Sequence, residues 1–161
     1  MKKIRVILIV LFGIILLTGC KMNKKAVDST EFKSRMDKQS IAMMDVTDLY
    51  GISKKAYQTD KTEYKIIYVE GKRESDIKAM FIDEAKNVYS KANIIDEANN
   101  GTTEANKYSK NTSSGNNWSA VEITTDVNYY YLTYIDNVLL YIEGNIDQKD
   151  TLIKVRDAVE Q

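Results

Sequence analysis

Apolar residues follow two different periods along this chain, and each period predicts one kind of element. Over 75–93 they recur at three- and four-residue intervals, which predicts an amphipathic helix with Ser75 as its N-cap. Four other segments are rich in the β-branched and aromatic residues that favour strands: 64–70, 118–125, 129–135 and 138–143. The pattern therefore predicts helices and strands within one domain.

Two further helices are predicted by residues that cap helix ends. Asp28 stands three positions before Glu31, an arrangement that satisfies the first free amides of a helix, and it predicts a helix over 29–39. Asp147 is placed to cap a second helix, over 148–160. One helix therefore begins the folded part and another closes it.

The remaining segments complete the order of elements. Short strands are predicted at 41–46 and near 56–58, whereas residues 97–117 are almost wholly polar, so we expect mobile surface loops there, with an edge strand near 106–110. A helix, then strands and a helix, then three strands and a last helix indicate the α+β class. We expect a mainly antiparallel sheet with a C-terminal three-strand meander, packed by about three helices.

The predicted hairpin within the meander raises a question about its two faces. A two-residue turn at Asp136-Asn137 pairs Ile135 with Val138, and both faces then carry apolar or aromatic side chains. A hairpin with one wet face would alternate apolar with polar residues. Either helices cover both faces, or one face binds a partner. The residues of that partner surface, with the tryptophan as an anchor for a glycan or a protein, are Tyr130, Leu132, Tyr134, Leu139, Tyr141 and Trp118.

The first nineteen residues have the pattern of a targeting segment. Three basic residues within positions 1–5 precede an apolar run over 6–17. The run suits a signal peptide, because a spanning helix needs about 20 apolar residues. The run ends in Leu17-Thr18-Gly19-Cys20, which resembles the lipobox of bacterial prolipoproteins. An uncleaved N-terminal anchor is the alternative.

This resemblance implies a lipid anchor. In that family the cysteine sulfur, here that of Cys20, receives a diacylglyceryl group and the chain is cut just before it, after recognition of Leu17, Thr18 and Gly19. Residues 1–19 are then the signal peptide, 20–28 a lipidated tether and 29–161 a single α+β domain. In its order of parts the chain resembles small lipoproteins of low-GC Gram-positive bacteria. The membrane is the implied partner, and its extracytoplasmic face the implied location.

Composition excludes several other classes. The chain has no His and one Cys, so it has no imidazole metal ligand, no His-activated nucleophile and no intramolecular disulfide. Without residues 1–19 it has 20 basic and 23 acidic residues and no concentrated basic run outside the tether. Nucleic-acid binding depends on such a basic surface. We expect no nucleic-acid partner, no cofactor and no metal.

The candidate catalytic motifs of this sequence have ordinary structural explanations. Ser75 and Lys78 match the S-x-x-K pattern of serine acyl-enzymes, but the accompanying SDN and KTG motifs are absent. The carboxylate pairs Asp45/Asp48 and Asp147/Asp150 suit turns and caps, although a carboxylate dyad that acts on glycans stays open. We therefore expect no enzymatic activity and assign no catalytic residue.

These observations together predict a function in binding. The expected protein is a membrane-anchored extracytoplasmic lipoprotein whose domain binds a cell-envelope component, a peptide, a glycan or a protein. An immunity lipoprotein that intercepts a bacteriocin is the alternative, and a small hydrolase is a third.

Overall fold

The structure, a computed structural model, describes residues 22–94, 100–102 and 107–160. The helices in these ranges are α1 (Ser29–Lys38), α2 (Glu74–Lys91) and α3 (Lys149–Val159). The strands are β1 (Met43–Asp45), β2 (Ser53–Thr59), β3 (Tyr64–Gly71), β4 (Asn100–Thr102), β5 (Lys107–Ser114), β6 (Trp118–Thr125), β7 (Asn128–Ile135) and β8 (Val138–Asn145). Within the described residues, none of the helices is long and apolar enough to cross a membrane.

All of these strands join one antiparallel sheet. Over the described ranges the sheet has eight strands in the order β1-β2-β3-β8-β7-β6-β5-β4, and every neighbouring pair is antiparallel. The three strands β6, β7 and β8 form the C-terminal meander. The predicted α+β class, with a mainly antiparallel sheet, is confirmed.

Helices α1 and α3 cover one face of the sheet. Phe32 and Met36 of α1 are fully buried there, and the ring of Phe32 stacks on Tyr68 of β3 with centroids 4.3 Å apart. Leu152 and Val155 of α3 pack into the same cluster. This face therefore holds together both ends of the described chain.

Helix α2 covers the opposite face. Its buried residues Ile77 and Val88 pack against Leu132 of β7 and Leu139 of β8. Fully burying one such side chain stabilises the fold by about 1.5–3 kcal/mol. The central strands are thus core on both sides.

The hairpin register is the predicted one. Ile135 pairs with Val138 across a two-residue turn, and Asp136 adopts a positive φ of 52°. Asp tolerates this left-handed conformation better than most residues, because its short side chain can bond to nearby backbone. The alternation along β7 and β8 then sends their residues to the two separate helix layers.

Capping follows the prediction at one helix and departs from it at two. The Asp28 carboxylate accepts a hydrogen bond from the Glu31 amide at 2.8 Å, as expected. Ser75 is not a cap, because α2 begins one residue earlier, after the extended residue Arg73. Asp147 is not a cap either, because it lies inside a 3₁₀ turn (Ile146–Gln148) that precedes α3.

The polar segment that was expected to form mobile loops is in large part a strand. β5 extends to Ser114 and lies between β4 and β6, so it is an interior strand of the described sheet and not an edge. Its backbone is ordered by ladder bonds to β6 over 108–114 and to β4 over 107–109, which the polar side chains do not reveal. The rest of the predicted loop, at 97–99 and 103–106, lies outside the described residues.

Four of the buried tyrosines make the fold sensitive to alkali, because their phenol pKa values are strongly raised. Burial is the main cause that raises the phenol pKa of Tyr68, Tyr129, Tyr131 and Tyr141 above the ordinary value. The unfolded state releases these protons near pH 10 and the folded state does not, so stability is fully present below pH 10 and falls as the pH rises above it.

We therefore expect part of the tyrosinate absorbance to appear only as the fold is lost in an alkaline titration. Tyr68, Tyr129, Tyr131 and Tyr141 ionise only together with loss of circular dichroism, because the fold holds their phenol pKa values above the ordinary value. In guanidinium the same titration serves as the control and shows a single phase. Ionisation of all eleven tyrosines near pH 10 with an unchanged dichroism spectrum would contradict this account.

Candidate functional site

The tyrosine-rich face that the sequence offered as a partner surface is buried. Tyr130, Leu132, Leu139 and Tyr141 are each no more than 2% exposed, because α2 packs directly over them. Tyr134 is half-buried at the margin of this cluster. Its ring packs edge-on against that of Phe81, with the ring centroids 5.1 Å apart. The interpretation as a free binding surface is therefore wrong for this face, and the alternative, cover by helices on both faces, is the observed arrangement.

Trp118, the remaining residue of that predicted surface, contacts the N-terminal segment of its own chain. It is half-buried, and its indole Nε1 donates a hydrogen bond to the carbonyl oxygen of Met22 at 2.8 Å. The ammonium of Lys24 lies over its ring, 4.1 Å from the centroid. Cation–π contacts of this kind stabilise by about 0.5–1 kcal/mol at exposed sites. The ring is thus occupied by the protein itself.

Asn117 provides the most specific contact to this segment. Its side chain accepts a hydrogen bond from the Lys24 amide at 3.1 Å and donates one to the Lys24 carbonyl at 2.7 Å. The same amide group also donates to Asp136 of the β7–β8 turn at 2.9 Å. The amide and the carbonyl of Lys24 are therefore both hydrogen-bonded, as they would be for a residue within a β-sheet.

The segment is also tied to the end of α3. The Lys24 ammonium lies 2.8 Å from a carboxylate oxygen of Glu160, and the Tyr131 hydroxyl donates to the other oxygen. Further along, the Tyr68 hydroxyl donates to the carbonyl of Val27 at 2.8 Å, and Val27 is buried. We call the residues that bind Met22, Asn23 and Lys24 the N-terminal docking site; they are Asn116, Asn117, Trp118 and Glu160.

Within the predicted lipidated tether, the described residues from Met22 onward contact the domain. From Met22 onward the described chain lies against the β5–β6 turn and α3, with Lys24 only half exposed. Lys24 is held there because its backbone bonds to Asn117 and its ammonium pairs with Glu160. Residues Leu17, Thr18, Gly19 and Cys20 lie outside the described residues.

A charged cleft opens beside the docking site. It has a volume of about 180 Å³ and is lined by Lys24, Asn111, Ser113, Ala120, Glu122, Tyr131, Arg156, Asp157 and Glu160. We call it the polar cleft. Its position between β5, β6 and α3 makes it a concave site that is rich in hydrogen-bonding groups.

The charges within the polar cleft are arranged around Arg156. Its guanidinium lies 2.8 Å from Glu122 and 2.8 Å from Asp157. Burial works against its charge, but the hydrogen bond to Asp157 and the neighbouring Tyr129 and Glu122 outweigh burial and raise the pKa of Arg156. The same Glu122 oxygen accepts a hydrogen bond from the Tyr129 hydroxyl at 2.9 Å. The arginine is therefore a fixed cation at the edge of the cleft.

The residues of the proposed S-x-x-K pattern have other partners. Lys78 pairs with Glu74 at 2.6 Å and lies over the ring of Tyr134, whereas Ser75 is exposed on the first turn of α2. In the carboxylate pair of the β1 region, hydrogen bonds from Lys55 and Thr47 lower the pKa of Asp45. Asp45 thus acts in the turn that follows β1, as expected.

Among the residues that the structure describes, no group of three or more acidic or cysteine side chains is placed to hold a metal ion. Comparison with models of protein families, with curated proteins and with solved structures finds no match.

The docking site was missed because its residues have unremarkable roles in the sequence. Asn116 and Asn117 end the polar segment that predicts mobile loops, and Lys24 lies within the predicted tether. One usable signal exists: Gly115, two asparagines and the sole tryptophan are consecutive. A Cβ at Gly115 would overlap both the Trp118 indole nitrogen and the Met22 carbonyl oxygen. Glycine is required at position 115 because Trp118 and Met22 approach its backbone too closely for a side chain.

We expect Gly115→Ala to displace the N-terminal segment. The added methyl group cannot fit without moving Met22 or Trp118, so the free energy of unfolding should fall by about 1–3 kcal/mol. Urea unfolding followed by circular dichroism measures this loss. The emission of Trp118, the only tryptophan, should shift to longer wavelength as its ring becomes exposed.

Gly51→Ala is the matched control, because nothing lies within 4 Å of a Cβ at that position. It should leave the emission of Trp118 unchanged and alter the stability little. Equal effects of the two substitutions would show that the docking contacts are absent in solution.

Proposed function

We propose that this protein is a lipid-anchored lipoprotein of the extracytoplasmic membrane face, whose domain binds a component of the cell envelope. The anchor is a diacylglyceryl group on Cys20, the only Cys of the chain. The basic start, the short apolar run and the four residues ending at Cys20 support it together, because each part is needed for export and lipidation and all stand in the required order.

One observation carries the proposal: the chain is docked on the domain at Met22, two residues after Cys20. Met22 is bound by Trp118, and from there to α1 the chain is in contact with the domain. A cut before Cys20 would therefore remove only residues that precede the docked segment. The folded body would be left intact and joined directly to its lipid.

The polar cleft is the site we propose for the bound component. The tyrosine-rich face is excluded by its burial, whereas Asn111 and Ser113 at the cleft are exposed and Arg156 supplies a fixed cation. Amide, hydroxyl and guanidinium groups suit a peptide or a glycan, because both present many hydrogen-bonding oxygens. We propose binding and not catalysis as the function of this cleft.

We expect Cys20→Ala to abolish anchoring. The variant should accumulate as a precursor or be released, and it should incorporate no palmitate, because the acceptor sulfur is missing. Metabolic labelling with palmitate and fractionation of membranes measure both effects. Lys61→Ala, a change of an exposed residue between β2 and β3, is the control and should be lipidated normally.

A Cys20→Ala variant that is cleaved and retained in membranes like the wild type would contradict the lipoprotein proposal. So would a wild-type protein whose mass lacks the diacylglyceryl group.

The binding proposal is tested with muropeptides and teichoic-acid fragments as ligands. Asn111 and Thr112 are adjacent on β5 and exposed, but Asn111 lines the polar cleft and Thr112 lines the opposite face. We expect Asn111→Trp to raise the Kd at least about tenfold by filling the cleft, and Thr112→Trp to leave the Kd unchanged. Calorimetric titration measures both. Equal Kd values for the two variants would place the binding site elsewhere.

A further inference from the structure

We propose that one end of the sheet faces the lipid surface, so that the protein lies on the membrane in a fixed orientation. This inference rests on the proposed lipid at Cys20 and goes beyond it. It concerns which surface of the domain lies next to the bilayer and which points away from it.

The short distance from the lipid to the folded body is the first argument. Met22 is two residues after Cys20, and two residues span at most about 7 Å even when fully extended. The carbonyl of Met22 is bound to Trp118, and the side chain of Asn23 is bound to Asn116 at 3.0 Å. The residue that carries the lipid is therefore held close to the β5–β6 turn.

That turn belongs to one end of the sheet, which we call the proximal end. It consists of the turns 51–53, 71–73, 115–117 and 136–137. The turns are joined in sequence across the end by three backbone hydrogen bonds, of 2.8, 2.7 and 2.9 Å: Asp136 amide to Asn117 carbonyl, Gly71 amide to Asn137 carbonyl, and Lys72 amide to Ile52 carbonyl. A lipid near Met22 brings all four turns toward the same surface.

The opposite end, which we call the distal end, consists of the turns 60–63, 126–127 and 145–148. These turns are also joined to one another, because the amide of Ile146 donates to the carbonyl of Val127 and the amide of Asn145 to that of Glu63. Strands of eight residues connect the two ends and separate them by about 25 Å. The distance of each end from the bilayer can therefore be measured separately.

The charges of the turns agree with this orientation. The proximal turns contain the exposed cation Lys72, the exposed Arg73, which pairs with Asp76 of α2 at 2.8 Å, and one half-buried carboxylate, Asp136. The distal turns contain one exposed cation, and the carboxylates exposed there are Asp60, Glu63, Asp126 and Asp147. An anionic leaflet attracts the first set and repels the second. Met22, whose apolar side chain is 71% exposed, lies at the proximal end beside the lipid.

The natural cysteine content allows a direct test. With the sulfur of Cys20 in a thioether to the lipid, an introduced cysteine is the only free thiol. Gly51→Cys places it at the proximal end, where nothing lies within 4 Å of an added Cβ, and Lys61→Cys places it at the distal end; both positions are exposed and lie in turns. Each full-length lipidated variant is labelled with a fluorophore and reconstituted into vesicles of phosphatidylcholine and phosphatidylglycerol that contain a headgroup nitroxide quencher.

We expect the proximal label to be quenched at least about threefold more than the distal label, since the ends lie about 25 Å apart. Equal quenching with the lipid present on Cys20 by mass spectrometry would overturn this inference and leave the lipoprotein proposal standing. A mass without the diacylglyceryl group would overturn both.

Asn117→Ala tests whether docking sets the orientation. It removes the two hydrogen bonds to the Lys24 backbone and leaves the lipid in place. In this background the ratio of proximal to distal quenching should fall toward one while circular dichroism confirms the fold. An unchanged ratio would overturn the assignment of orientation to the N-terminal docking site.

Discussion

The structure depends on the central strands being apolar on both faces. Ile66, Ile67, Tyr68 and Val69 are four consecutive buried residues of β3, so two of their side chains point to each side of the sheet. Strands of this kind cannot leave one face in water, and each face needs its own layer of helix. Helix α2 supplies one layer, and α1 with α3 supplies the other.

The position of the N-terminal segment follows from this double cover. Because α1 and α3 share a face, the segment that precedes α1 and the residue that follows α3 come together, and there Lys24 meets Glu160. The buried tyrosines reinforce the arrangement, because each hydroxyl needs a partner. Within the described residues no buried polar side-chain atom lacks one. Tyr68 uses the Val27 carbonyl and Tyr131 uses Glu160, so core and docking site share hydrogen bonds.

Much of the fold could be predicted because it depends on local patterns. The Asp28 cap and the register of Ile135 with Val138 were predicted from neighbouring residues alone, and both are confirmed. The extent of β5 could not be predicted, since its order comes mainly from ladder bonds to β6 and not from its polar side chains. The docking site could not be predicted, because Asn117 and Lys24 are 93 residues apart in the chain.

The sequence by itself determined the α+β class, the antiparallel meander and the presence of two apolar faces on the hairpin, because strand alternation and turn residues act over a few positions. Only the tertiary structure decided that both faces are covered, that Trp118 binds its own chain and that residues from Met22 onward dock on the domain. Those outcomes depend on which distant surfaces meet. That is a property of packing, and no local pattern encodes it.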